Sequence, residues 1–297
     1  MSPAFLSHLL DLGIALVTLA LMAGVGLALD PRGLPRALRP PGPLAVQLAA
    51  VVLLPPLLGL STVWLLDPPP AVAAGILLLA ACPVGDIANV YTLLAGANPA
   101  RSLVINILTA VAAPLTMTAI IAGYHACGRS ETYLAVPPGP LFVRLMLLLA
   151  LPVSAGLLLR RHRPAFAAKA GKAIHRFTGI GILLLVALVL LSPAFRIDHY
   201  LPAVITAATF LLLSLVPAAL LAVRTPDRDD GVAAALCLPV RNVGVAALIA
   251  ISLLRRNELT AVVAVYFVIE VPLMWGVARA ISSRRAGRNL AESSSSV

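Results

Sequence analysis

Ala81-Cys82-Pro83-Val84-Gly85-Asp86-Ile87-Ala88-Asn89-Val90-Tyr91-Thr92 interrupts an apolar run that starts at Ala71. A proline sits in mid-run, a carboxylate follows it, and an amide follows the carboxylate. Proline removes one helix hydrogen bond and clashes with the turn before it. In hydrocarbon the carbonyls so freed need partners, and broken backbone is tolerated only against protein or a water-filled cavity. The break also opens a half-helix N-terminus, with unpaired N–H groups and a partial positive charge. The same pattern recurs in Cys237-Leu238-Pro239-Val240-Arg241-Asn242-Val243-Gly244, again within an apolar run.

Outward from these two breaks the chain is apolar throughout. Of its 297 residues 60 % are hydrophobic and 11 % charged, and the mean hydropathy is +0.99. Soluble domains average about 45–50 % apolar and about 25 % charged. Runs of about 20 apolar residues, each able to cross about 30 Å of hydrocarbon, recur from end to end. They predict about nine transmembrane helices, at roughly 5–29, 43–66, 71–95, 102–123, 141–159, 174–195, 202–222, 231–252 and 260–280. Nothing reads as a soluble domain. The expected organisation is one transmembrane domain over 1–281, with a first repeat over about 5–123 and a second over about 141–281. The polar, serine-ended segment 282–297 reads as a disordered cytoplasmic tail. Two of the three cysteines, Cys82 and Cys237, lie in expected spans, which argues against a disulfide framework.

The net charge of +10 sits mostly between spans, which argues against a nucleic-acid partner. Sixteen of the 22 Lys and Arg fall in alternate loops, among them Arg32, Arg36, Arg39, Arg101, the run Arg160 to Arg176, and Arg284 and Arg285. The positive-inside rule then puts the N-terminus outside and the C-terminus in the cytoplasm, as a multi-pass protein of the cell (inner) membrane. That orientation requires an odd number of spans, in agreement with nine.

Charges inside the membrane mark candidate function. An Asp or Arg at mid-bilayer costs ~2.5–3.5 kcal/mol on insertion scales, so such residues face the bundle interior and pair. Asp86 and Arg241 are therefore candidates to face each other, as a salt bridge or as substrate-binding groups. Glu270, in Phe267-Val268-Ile269-Glu270-Val271-Pro272, is a third charge, a second partner for Arg241 or a proton carrier. Ser102, Asn106 and Thr109 lie on successive turns, as a polar path or as interhelical glue. Discontinuous helices in corresponding positions of two halves point to a transporter site near the midplane. Sequence signatures of soluble enzymes are absent, with no H-E-x-x-H, no phosphate-cradling glycine loop and no Cys/His cluster of metal spacing.

The first stretch, with Leu94-Ala95 and Asn98 after it, resembles the crossing-helix motif of bile acid:sodium symporters. Arg241-Asn242-Val243-Gly244-Val245-Ala246 is similar to the latter half of that family's second crossing motif. The chain resembles a divergent bacterial-type member in span order over nearly its whole length, with one fewer helix at the start. The resemblance implies an all-α inverted-repeat transporter with panel and core domains and two crossing helices broken at Pro83 and Pro239. It also implies alternating access and no enzyme activity. It puts a first sodium site at the backbone near Ala88 and at Asn89, Ser102 and Asn106, and a substrate contact at Asn242. Substrate-binding residues are expected at Asp86, Asn89, Arg241 and Asn242.

Two departures bear on coupling. Cys237 stands where relatives have a glutamate shared by both sodium sites, and Arg241 stands where they have a glutamine ligand. Sodium prefers oxygen ligands, and a guanidinium has no acceptor and stays charged. The expectation is a secondary active transporter of a small organic anion with altered sodium sites and no other cofactor. Asp86 or Glu270 would couple protons instead. The alternatives are a sodium-independent or proton-coupled carrier or exporter of another small solute, a zwitterion among them, then a non-transporting sensor or scaffold, then an intramembrane enzyme. The lipid bilayer is the expected partner, and the oligomeric state stays open.

Overall fold

The computed structural model describes residues 16–17, 19–28, 38–126, 134, 137–190 and 200–295; within its helices the side chains at 175, 179, 182–190, 252, 257 and 286–295 are not described. Asp11, Cys127 and the loop arginines Arg32, Arg36, Arg129 and Arg196 fall outside these residues. Every named element is helical. They are α1 (Leu19–Ala28), α2 (Pro41–Leu66), α3 (Pro70–Ala81), α4 (Ile87–Leu94) and α5 (Pro99–Ala126). There follow α6 (Pro138–His162), α7 (Pro164–Leu190), α8 (Tyr200–Arg224), α9 (Arg228–Cys237), α10 (Val243–Leu248) and α11 (Asn257–Ser295).

Five of these, α2, α5, α6, α8 and the Glu258–Arg285 part of α11, are long and apolar enough to cross a membrane by length and composition. The expected spans 71–95 and 231–252 are each split into two short helices, α3/α4 and α9/α10. The expected span 5–29 is described only from residue 16.

Prolines start many of the helices, at Pro41, Pro70, Pro99, Pro138 and Pro164, where their missing N–H is no loss. Asp227 caps α9 with its Oδ1, which accepts from the N–H groups of Asp229 (2.9 Å) and Asp230 (3.0 Å). Large apolar side chains such as Trp64, Leu65, Val216 and Val223 face outward, as lipid-facing residues do, while polar residues turn inward, the reverse of a water-soluble helix. α3 is buried along its whole length after Pro70 and lies against α2 and α11. α1 and α6 approach to backbone contact through two reciprocal glycines. A Cβ on Gly26 would lie 2.1 Å from the Val153 carbonyl oxygen, and one on Gly156 would lie 2.3 Å from that of Ala23. Small residues are what lets membrane helices come this close.

Helix α11 continues through Ser295, so the segment expected to be disordered is helical up to that residue. The reason is visible in the sequence: Ala278-Arg279-Ala280 and Arg284 to Ala291 are rich in strong helix formers. Arg285 also ties the helix down, with Nη1 donating to the Gly96 carbonyl (2.6 Å) and pairing with Asp229 (2.8 Å).

Candidate functional site

The two broken helices repair each other. Between α3 and α4 the chain runs extended through Pro83-Val84-Gly85, and between α9 and α10 it runs through Val240-Arg241-Asn242. Val84 and Arg241 form an antiparallel bridge. Gly85 N–H donates to the Val240 carbonyl (3.1 Å), and Asn242 N–H donates to the Pro83 carbonyl (2.9 Å). Backbone groups that neither helix can satisfy are thus satisfied by the other crossing, as burial in hydrocarbon demands. Glycine is needed at 85, because a Cβ there would lie 2.7 Å from the Arg241 carbonyl oxygen. Asn242 caps the restarted helix, its Oδ1 accepting from Val245 N–H (3.0 Å).

The Arg241 guanidinium does not meet Asp86 or Glu270. Its Nη1 donates to the Val51 carbonyl (3.2 Å) and its Nη2 to the Cys82 carbonyl. Both carbonyls are orphans of proline breaks. Pro55 in α2 lacks the N–H that would bond Val51, and Cys82 stands at the end of α3, where the helix stops before Pro83. The two terminal nitrogens of the guanidinium thus each serve one freed carbonyl, and neither is left for a carboxylate.

Asp86 is held by α5 instead, its Oδ1 accepting from Asn106 Nδ2 (3.1 Å). The expected polar path on α5 is a ladder of ties to the first break. Thr109 Oγ1 accepts from Val84 N–H (3.4 Å), Asn106 holds Asp86, and Ser102 Oγ donates to Asn89 Oδ1 (2.6 Å). Cys237 Sγ donates to Ser102 Oγ (3.5 Å), so the second crossing touches the same cluster. Ala88, Asn89, Ser102 and Asn106 therefore come together. Of their oxygens, the Ala88 carbonyl is used by Thr92 Oγ1 (2.8 Å) and Asn89 Oδ1 by Ser102. Asp86 Oδ2 and Asn106 Oδ1 have no hydrogen-bond partner among the described residues, nor do Asn242 Nδ2 and Arg241 Nε.

Of these residues, Asp86, Arg241 and Asn242 border a cavity of about 830 Å³. Asp86, Asn89, Arg241 and Asn242 of the crossing line it together with Leu21 and Val25 of α1 and Thr178 of α7. Phe267, Val268, Val271 and Pro272 of α11 complete an apolar wall. A binding site of this kind, mostly apolar with a few placed polar groups, suits a small amphipathic molecule. Glu270 lies behind that wall, fully buried, facing Tyr91 of α4.

One polar centre escaped the sequence reading. Arg101, expected in a loop, is 1 % exposed in the first turn of α5 and paired with Asp230 of α9. The same guanidinium donates to the Arg39 carbonyl (2.8 Å), Asn98 Nδ2 donates to Asp230 Oδ1 (2.7 Å), and Gln47 of α2 donates to the Asp230 carbonyl (3.4 Å). The signal is present in the rarity of acidic residues: Asp227, Asp229 and Asp230 are three of only twelve. Their cluster immediately before the second broken span calls for a basic partner.

The chain has relatives among known proteins. The profile of the Sodium Bile acid symporter family matches residues 15–200, which include the first crossing and stop short of the second. An uncharacterized sodium-dependent transporter, YocS of Bacillus subtilis (strain 168), is 27 % identical over 169 residues, 57 % of this chain and 50 % of that protein. The probable sodium/metabolite cotransporter BASS1, chloroplastic, of Oryza sativa subsp. japonica is 34 % identical over 145 residues, 48 % of this chain and 34 % of that one. The matched stretches thus span half the length of the first relative and about a third of the second. Both relatives are named as transporters. With the matched profile covering more than half of its length, this multi-pass membrane protein belongs to the sodium bile acid symporter family.

Proposed function

We propose that the protein is a secondary active carrier of a small organic anion, working by alternating access, without a sodium ion at the second of the family's two sites. The observation that carries this reading is the position of the Arg241 guanidinium, between the Val51 and Cys82 carbonyls at the edge of the cavity. There it is a fixed positive charge in the place where the family resemblance puts a sodium ligand. A bound sodium ion would leave with the substrate, whereas the guanidinium stays. Cys237 removes the carboxylate that would otherwise draw a cation to both sites. The apolar wall of α11 and α1 takes the body of the substrate, and Arg241 and Asn242, which line the cavity and each keep a buried nitrogen without a partner among the described residues, draw its acidic end. The alternation of basic loops supports a cell-membrane location with the C-terminus in the cytoplasm.

A second reading has its own support. Asp86 Oδ2 is an acceptor without a partner among the described residues, on the same cavity as the donors of Asn242 and Arg241. A zwitterion would satisfy both kinds of group.

Uptake into proteoliposomes tests the proposal, with labelled taurocholate as the anionic probe and labelled phenylalanine as the zwitterionic one. Saturable uptake that persists when sodium is replaced by choline is the expected result. Uptake that collapses without a sodium gradient overturns the sodium-independent reading.

A further inference from the structure

We propose that Glu270, backed by the Tyr91 hydroxyl, is a proton-binding site of the carrier, loaded and emptied through the cavity. The inference rests on the carrier reading above and adds to it the coupling ion.

The carboxyl group of Glu270 is fully buried, and neither oxygen has a hydrogen-bond partner among the described residues. The Tyr91 hydroxyl, also without a formed hydrogen bond, faces it from α4. A buried carboxylate is retained only with a cation beside it or with a proton on it. No cationic side chain among the described residues serves Glu270. Arg241 is committed to the carbonyls of Val51 and Cys82. Tyr266, one turn earlier on α11, lies near enough to feel the Glu270 charge, but its hydroxyl donates to the Pro239 carbonyl. The neighbouring helices α3 and α10 contain no ionisable residue, and α8 has them only at its ends, Tyr200 and Arg224. On α7, Lys169, Lys172 and Arg176 are exposed, while the His175 side chain is outside the described residues. Among the described residues, Tyr91 is thus the ionisable group that meets Glu270 from another element.

The pair suits both protonation states. A phenol O–H can donate to a carboxylate, and its oxygen can accept from the O–H of a carboxylic acid. In the loading step a proton from cavity water adds to a Glu270 oxygen and yields the neutral acid; in the unloading step it leaves to water and restores the carboxylate. Neither group lines the cavity itself, so loading needs the wall between them and the cavity to open. Val271 and Pro272 of α11 and Val90 of α4 line the cavity, and Glu270 and Tyr91 are next to them. Pro272 also lacks the N–H that would bond the Val268 carbonyl, so α11 is loosened in the turn that contains Glu270. Asp86 is the weaker candidate, because one of its oxygens already accepts from the Asn106 amide.

The test begins without any substrate. Infrared difference spectra of the protein in liposomes are recorded as the buffer goes from mildly acidic to mildly alkaline. A protonated-carboxyl band that disappears with rising pH, is missing in Glu270→Gln and is displaced in Tyr91→Phe is the expected result. A band that does not titrate, or that survives Glu270→Gln unchanged, overturns the proposal. Tyr91→Phe retains the carboxyl group, so a band that it leaves in place overturns the pairing even where Glu270→Gln fails to fold. With taurocholate as probe, an imposed proton gradient should drive accumulation by the wild type several-fold above equilibrium. Glu270→Gln should keep substrate exchange and lose that accumulation. Wild-type flux indifferent to the gradient overturns coupling, whereas absence of taurocholate flux counts against the substrate reading and leaves the infrared result to decide the proton site.

Discussion

Val84 and Arg241 pair as antiparallel extended residues at the point where the two broken helices cross. The pairing makes Arg241 do two things at once. Its backbone fastens the second crossing to the first, and its side chain reaches past Val84 to the Cys82 carbonyl and to Val51 of α2. The two crossing segments are thus fastened to each other through both backbone and side chain.

That pairing predicts the behaviour of Gly85. Gly85→Ala would put a methyl group 2.7 Å from the Arg241 carbonyl oxygen and 3.3 Å from Val240 Cγ1. The bridge has to open or the backbone has to shift, and overpacking of this kind costs about 1–3 kcal/mol. A clear drop in the thermal unfolding temperature in detergent is expected, together with impaired flux. Gly276→Ala is the matched control. It lies in α11 with nothing within 4 Å of its added methyl, and should hold or raise stability. Equal behaviour of the two variants would show that the crossing tolerates an added Cβ.

Arg241 and Cys237 together predict how sodium dependence would return. Arg241→Gln alone leaves the Val51 and Cys82 carbonyls without their donor, which costs about 1–3 kcal/mol for each buried group left unsatisfied. The double variant Cys237→Glu with Arg241→Gln restores a carboxylate and an amide oxygen. It should be stabilised by sodium relative to choline, by about 2.7 kcal/mol where sodium is 100-fold above its dissociation constant. The wild type should show no such difference. Thermal unfolding in the two salts measures it, and a wild type stabilised by sodium as strongly as the double variant would contradict the proposed role of Arg241.

The breaks and their centre are legible in the sequence because proline in a hydrophobic span has few tolerated contexts. Pro83 and Pro239 have to be answered by other polar groups, and the two breaks answer each other. The side-chain pairing is not legible in the same way. Asp86 and Arg241 are opposite charges at matching positions, and charge alone suggests a bridge. The guanidinium takes instead the carbonyls that Pro55 and the end of α3 leave open, a geometry that needs three helices to be placed first. Arg101 is hidden for a related reason. A basic residue near a span end reads as a loop cation, and its burial depends on Asp230, which lies far away in sequence. The tail reads as disordered from its serine run, but the helix formers ahead of that run carry α11 onward.

The Arg101–Asp230 pair predicts a steep asymmetry between neighbouring aspartates. Asp230→Asn leaves a buried guanidinium without its counter-charge, and breaking a buried pair in this way costs about 3–5 kcal/mol. Asp229, one residue earlier, pairs with Arg285 at the surface with its side chain 57 % exposed. Asp229→Asn should change stability by about 1 kcal/mol or less. Thermal unfolding of the two variants side by side reads this directly. If they prove equally mild, the inner pair is relaxed by water.

Asp86 decides between the two substrate classes. Asp86→Asn keeps an oxygen for the Asn106 amide and removes the charge from the cavity. For an anion this takes away a repulsive neighbour, so the half-saturating concentration of taurocholate should fall or stay unchanged. For a zwitterion it removes the acceptor that would hold the ammonium group. A charge-assisted hydrogen bond of about 1.5–3 kcal/mol corresponds to a loss of roughly ten- to a hundredfold in affinity. Competition of unlabelled phenylalanine against labelled taurocholate, in wild type and variant, separates the two. If phenylalanine competes in the wild type and loses that ability in Asp86→Asn while taurocholate uptake continues, the cavity is built for a zwitterion. If phenylalanine competes in neither and taurocholate is taken up by both, the anion reading stands and Asp86 serves to seat Asn106 and the first crossing.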